Sequence, residues 1–252
     1  MITAPISQSI RFRQVNSYPA NFDNTFDSEF RYTQYVAPEN LKVQLRRLND
    51  SQAVPALYIV ECNETETEVT APETHVVGAA IFYTFTLPLA SFDTKKLRLK
   101  VVEVWNSAPS EITHYTEYFT VKEQPFLKLN WFNTENAFTL DYSTGLVNEM
   151  WVEAKMHKLS HGGEASVYSN QGVDVKLKEI VSRIFSLETD VPDYIAEQIA
   201  LALAHDRFYI NEIEFVASKK PTLTQLGRSN MYQFVAEVKQ KAVIGINTHD
   251  VG

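Results

Sequence analysis

Apolar and polar residues alternate with a period of two over much of this chain, the pattern of strands with one buried face. Leu41, Val43 and Leu45 alternate with Lys42, Gln44 and Arg46, and Asn49-Asp50-Ser51 then supplies turn chemistry. Ala56 to Glu61 reads as a continuous apolar strand, and the acidic stretch Asn63 to Glu68 as a solvated loop or hairpin tip. Ala79 to Leu87 alternates with Ile81, Tyr83, Phe85 and Leu87 on one side, and Pro88 closes it. Leu97, Leu99 and Val101 run on through Val104 and Trp105, and Tyr115 to Val121 returns as one further strand. Short strands at this spacing, parted by turn residues, predict an Ig-like β-sandwich over 39–124.

Lys122-Glu123-Gln124-Pro125 is a short boundary, so the halves it joins are expected to be stiffly coupled. Beyond it, Leu127, Leu129 and Trp131 share one face of a strand that ends in the polar turn Asn133-Thr134-Glu135-Asn136-Ala137-Phe138. Met150, Val152, Ala154 and Met156 alternate as its expected partner. Ser160 to Glu164 reads as a turn, Val181 to Leu187 as a strand, Phe208 to Val216 as an alternating strand and Met231 to Val238 as the last. Between them Ile195, Ile199 and Leu203 form a stripe at helical spacing after Pro192, with Asp190 and Asp193 as capping and first-turn acids. The fold class is therefore mainly β: two β-sandwich (Ig-like) domains in tandem, the second (125–246) α+β, with a helix over 192–204 packed on its sheet and a polar tail at 247–252. Residues 1–38 are aromatic but weakly periodic. They read either as an extended N-terminal arm or as a strand with long loops belonging to the first sandwich.

Composition narrows the function classes. A net charge of −8 argues against a general nucleic-acid binder. The local basic stripe Lys95, Lys96, Arg98 and Lys100 reads as a solvated sheet face or an inter-subunit charge patch. Aromatics make up 12% of the chain and glycine only 8 residues, which suits sheets better than phosphate-cradling loops. Cys62 stands alone, so an intrachain disulfide is impossible, and its place after an apolar run suggests a buried, inert thiol. No signal-peptide pattern opens the sequence and no apolar run suits a membrane span, so a soluble, unexported protein is expected.

No nucleotide, hydrolase or zinc-protease motif occurs, so no catalytic, cofactor or metal residues are assigned. His157 and His161 bracket the end of a strand, where four-residue spacing carries no helical meaning, and Glu64, Glu66 and Glu68 lack the loop of a calcium site. Trp105, Trp131 and Trp151 are either sugar-stacking platforms or core residues. The aromatic density of the less periodic segments points instead to an interface. The candidates are Phe12, Tyr18, Phe22, Phe26 and Phe30 in the arm, with Phe132, Asn133, Asn136, Phe138 and Tyr142 in the central stretch.

Three stretches carry a family resemblance: Leu129-Asn130-Trp131-Phe132-Asn133-Thr134-Glu135-Asn136-Ala137-Phe138, Trp151-Val152-Glu153-Ala154, and Asp190-Val191-Pro192-Asp193-Tyr194-Ile195-Ala196. In order and spacing, 125–240 resembles a family of structural proteins encoded by tailed phages and prophages of Bacteroidetes, crAss-like phages included. The family's closing strand is represented here by Tyr232 to Glu237. The resemblance implies a non-enzymatic virion component of the tail or portal-proximal collar, made in the bacterial host cytoplasm. Its expected partners are itself as a cyclic homo-oligomer and other tail, ring or portal proteins. Phage DNA would pass through the lumen without specific binding. A carbohydrate- or receptor-binding module of the tail or baseplate is the alternative.

Overall fold

A computed structural model describes residues 2–3, 10, 12–14, 34–48, 54–104, 111–137, 139–170, 173–227, 231–241 and 243–245. The chain is mostly β, with several sheets and one α-helix among the described residues.

The first unit holds β1 (Ile2–Thr3), β2 (Phe12–Gln14), β3 (Gln34–Val36), β4 (Asn40–Leu48), β5 (Ala56–Glu61) and β6 (Glu66–Glu68). It continues with β7 (Glu73–Val77), β8 (Ala80–Pro88), β9 (Lys96–Val104), β10 (Glu111–Thr116) and β11 (Phe119–Val121). One sheet runs β1-β4-β8-β7; the other centres on β9, flanked by β5 and β6 on one side and by β10, β2, β11 and β3 on the other. All pairings here are antiparallel except β3 with β11, which is parallel. The alternation in β4 and β8 exists because one face of each meets the second sheet. Leu41, Val43, Leu45, Tyr83, Phe85 and Leu87 bury against Leu57, Ile59, Leu97, Leu99, Val101, Phe119 and Val121 in one core.

The described pieces of the first 38 residues, β1, β2 and β3, pair with β4, β10 and β11 of the same chain. The region expected as one strand over 115–121 is two. At the break Thr116 Oγ1 accepts the buried Leu99 N–H at 2.8 Å, replacing a backbone partner where the ladder changes strand. Residues 66–68, expected as loop or tip, form β6 on the edge of β5. Cys62, expected buried, is exposed.

The second unit holds β12 (Leu127–Phe132), β13 (Asn148–Val152), β14 (Lys155–Asn170), β15 (Val173–Pro192), α1 (Asp193–Ala202), β16 (Arg207–Ile210) and β17 (Ile213–Ala217). It ends with β18 (Thr222–Gln225), β19 (Met231–Gln240) and β20 (Val243–Gly245). These make one antiparallel sheet, β13-β12-β16-β17-β19-β15-β14, with β18 beside β19 and β20 beside β15. The expected partnership holds, with Leu129 opposite Met150. The helix also forms where its stripe predicts. Ile195, Ala196, Ile199, Ala202 and Leu203 pack onto Leu129, Trp131, Val152, Phe208 and Phe234. Its N-cap is Pro192 with no side-chain cap bond, so Asp190 does not cap and Asp193 contributes only first-turn charge.

Three expectations change here. The Met150–Met156 run breaks at residues 153–154 into β13 and β14. Ser160 to Glu164, expected as a turn, lies within β14, whose pairing with β15 continues to Asn170 opposite Val173. The run Phe208 to Val216 is a hairpin, β16–β17, turning at Asn211 and Glu212 with φ of 48° and 69°. Two successive positive φ values are the mark of a type I′ turn, which matches the twist of its strands.

Candidate functional site

The central stretch and the loop after it join the two units. Asn133 and Thr134 are pinned to the turn that follows α1: Asn133 Oδ1 accepts the Asp206 N–H at 2.8 Å. Asp206 Oδ2 in return accepts from Thr134 N at 2.9 Å and Thr134 Oγ1 at 2.8 Å. These bonds hold the Asp206 carboxyl below its usual range. The chain then makes a 3-10 turn over Tyr142–Thr144, started by Asp141 and ended by Gly145 at φ 70°. Leu140, Tyr142 and Leu146 bury together beneath this docking loop, with Phe132 against them.

The loop lands on the outer face of the β4-β8-β7 sheet. Gln44, whose alternation points it away from the sandwich core, is fully buried there. Its side-chain amide pairs with the Asp141 peptide in both directions: Gln44 Nε2 donates to Asp141 O at 2.9 Å, and Asp141 N donates to Gln44 Oε1 at 2.7 Å. Thr84, its neighbour across the ladder, receives a second Nε2 bond at 3.0 Å. Lys42 Nζ donates to Thr144 O at 2.5 Å. Beside these, His75 Nδ1 on β7 meets Asp141 Oδ2, an exposed imidazole against a carboxylate with no exposed side-chain surface.

Serine, histidine and aspartate here share a cluster but not a proton relay. Ser143 donates to Asp141 Oδ1 from N at 3.1 Å and from Oγ at 2.6 Å, while Oγ lies 3.3 Å from His75 Nδ1. The hydroxyl and the carboxylate therefore face the same ring nitrogen. A nucleophile relay needs them on opposite nitrogens. This cluster can clamp; it cannot carry a proton from the hydroxyl through the ring to the acid.

Of the interface candidates in the central stretch, Asn133 and Tyr142 are buried within the chain. Phe132 is half-buried and stacks on Tyr209 at 5.9 Å and 10°. Asn136 is exposed, its Oδ1 accepting the Tyr142 N–H at 3.0 Å. Phe12 lies in β2, where its side chain is not described; Tyr18, Phe22, Phe26, Phe30 and Phe138 lie outside the described residues. Trp131 is fully buried in the second core, so it offers no sugar platform. Trp151 is half-buried under Lys128, whose Nζ lies 5.7 Å from the ring; Trp105 lies outside the described residues.

The acidic series and the basic stripe prove to be one network across β5, β6 and β9. Arg98 binds both oxygens of Glu64 at 3.1 and 2.9 Å, and Lys100 binds both of Glu66 at 2.9 and 3.1 Å. Tyr58, Tyr115 and Tyr118 stack against the same cations. Paired this way, the stripe is a largely neutralised sheet face. Deeper in the first unit lies a second charged group that the sequence did not reveal. Buried Glu103 accepts from His114 at 2.7 Å and faces Arg47 at 3.7 Å. Among the described residues no group of three or more His, Cys, Asp or Glu is placed to hold a metal ion, and no helix is long and apolar enough to cross a membrane. His157 is exposed on β14.

No family model, curated protein or solved structure matches the chain.

Proposed function

We propose that this chain is a non-enzymatic structural subunit of a tailed-phage virion, assembling with copies of itself into a ring of the tail or portal-proximal collar. The three stretches that carry the family resemblance are joints of the fold: the pinned Asn133–Thr134 corner, the end of β13, and the β15-to-α1 turn. Stretches placed at structural corners suit a scaffold. The wider partners are other tail, ring or portal proteins, and a net charge of −8 suits a lumen along which DNA slides without sticking.

The observation that best supports the reading is the β14–β15 hairpin. β15 is accompanied by β19 from Pro192 to Ile184 and by β20 from Val181 to Glu179, yet β14 stays paired with it down to Val173. Among the described residues, the last six or so of β15 thus pair with β14 alone, over about 20 Å. Such a two-stranded ribbon is marginal alone in water and gains by packing against another surface. A neighbouring copy is the natural surface, since head-to-tail contacts that close by rotation make a ring.

Light scattering on the eluting protein tests this. A closed oligomer is expected, reduced to a monomer of unchanged melting temperature when residues 164–178 are replaced by a short turn. A wild-type chain that stays monomeric at all concentrations, with or without affinity for glycans, overturns the reading.

A further inference from the structure

We propose that the outer face of β9, with the tyrosines beside it, is a docking site for an extended acidic segment of a partner protein, occupied in the free chain by its own Glu64 and Glu66. Strand alternation sends Leu97, Leu99 and Val101 into the core. It leaves Lys96, Arg98 and Lys100 on the opposite face, successive cations about 7 Å apart. Aromatic rings hold these cations in place. Arg98 faces Tyr115 and Tyr118, at 4.5 and 5.1 Å from their centroids; Lys96 meets Tyr118 at 5.3 Å and Lys100 meets Tyr58 at 5.5 Å. From the β5–β6 hairpin, Glu64 gives both oxygens to Arg98 and Glu66 gives both to Lys100. Two of the three cationic positions are thereby filled. The third, Lys96, is exposed, and among the described residues no carboxylate pairs with it.

The resident carboxylates are built to be replaced. Glu64 is 63% exposed and Glu66 37%, and ion pairs open to water add little stability. Glu64 also sits at a φ of 63° in the turn that carries it over, a strained conformation for a residue with a side chain. β6 exposes all three of its side chains and is held to β5 by three ladder pairs. The cations, by contrast, stand on a strand paired on both sides, by β5 and β10. An extended segment with acidic side chains at alternate positions matches Lys96, Arg98 and Lys100 one to one. A second copy of this chain brings the same folded turn and the same two carboxylates, so it leaves Lys96 as it is. A nucleic acid brings a far denser charge against a net charge of −8. The chemistry that fits is a strand-like stretch of another protein with glutamate or aspartate at every second residue.

Fluorescence anisotropy of a labelled, capped peptide of three Glu-Thr repeats, added to the full chain at low salt, tests this. Glu64→Gln/Glu66→Gln removes the competing carboxylates and is expected to bind the peptide about ten-fold more tightly than wild type. Adding Lys96→Gln, an exchange at an exposed position, is expected to weaken that binding several-fold. Glu214→Gln/Glu237→Gln makes the same change in net charge and strips carboxylate partners from Arg207, Lys219 and Lys241 instead. It is expected to gain far less. An equal gain in the two Glu→Gln pairs overturns the proposal, as does binding that Lys96→Gln leaves unchanged. Tighter binding of a single-stranded oligonucleotide of equal charge, or of a wild-type copy, by the Glu64→Gln/Glu66→Gln chain assigns the face to another occupant and overturns it too. None of these readings depends on ring formation, which is read separately from the oligomeric state.

Discussion

His205 shows how much a single ring can decide. Its Nδ1 faces the Leu201 carbonyl at 2.7 Å, which can only accept, so that nitrogen carries the proton and Nε2 receives the Tyr142 hydroxyl at 2.7 Å. Burial pushes His205 below the usual imidazole range, against weaker opposing pulls from the Leu201 carbonyl and Asp206. Burial likewise pushes the Tyr142 hydroxyl above its ordinary value, which keeps it a donor. The sign follows from linkage. The unfolded chain takes up the proton more readily than the folded one, so this site's stability is present above the ordinary imidazole value and is lost as the pH falls through it toward the lowered folded value. Denaturant titrations from about pH 7.5 to about pH 5 are expected to show stability declining below about 6.5. His205→Gln is expected to flatten that slope; an unchanged slope places the proton uptake elsewhere.

At the scale of the element, the β16–β17 hairpin carries avoidable strain. Asn211 tolerates positive φ and also earns its place, its Oδ1 accepting the Lys128 N–H at 2.8 Å while its own N–H donates to Lys128 O at 2.8 Å. Glu212 at φ 69° has an exposed side chain and no such compensation in its backbone preference. Glu212→Gly converts the turn to Asn-Gly, the favoured type I′ pair, and is expected to stabilise the protein by about 1 kcal/mol, read as a higher denaturation midpoint. The contrast between strands shows what a sequence displays. β4, β8, β9 and β12 are legible because a core on one side imposes a period of two. In β14, Gly162-Gly163 reads locally as a turn although the ladder runs through it. The docking loop is not legible: the capped turn over Tyr142–Thr144 has no periodicity to mark it, and nothing near it names the sheet it lands on. Gln44 reads as solvent-facing because its burial comes from a segment a hundred residues on.

At the scale of the whole molecule, the Gln44–Asp141 amide pair ties the second unit's loop to the first unit's sheet. Gln44→Leu preserves the volume of the side chain but leaves the buried Asp141 N–H without its acceptor, while Asp141 O keeps its bond from Thr144 Oγ1. The expected cost is about 1–3 kcal/mol. Because the loss falls on the junction, the wild-type chain is expected to melt in one transition by calorimetry and the variant in two. A single transition in both would mean that the short 122–125 link and the remaining contacts suffice. The parallel pairing of β3 with β11 carries a last consequence, one of timing. Gln34 must find Phe119, and Val36 must find Val121, so the first sandwich closes its sheet only when a loop spanning nearly its whole length is drawn shut. During synthesis, β4, β5 and β8 emerge from the ribosome long before that pairing is possible. The first unit is therefore completed late, just as the chain that will dock onto it begins to appear, and folding is expected to be slow for a protein of this size.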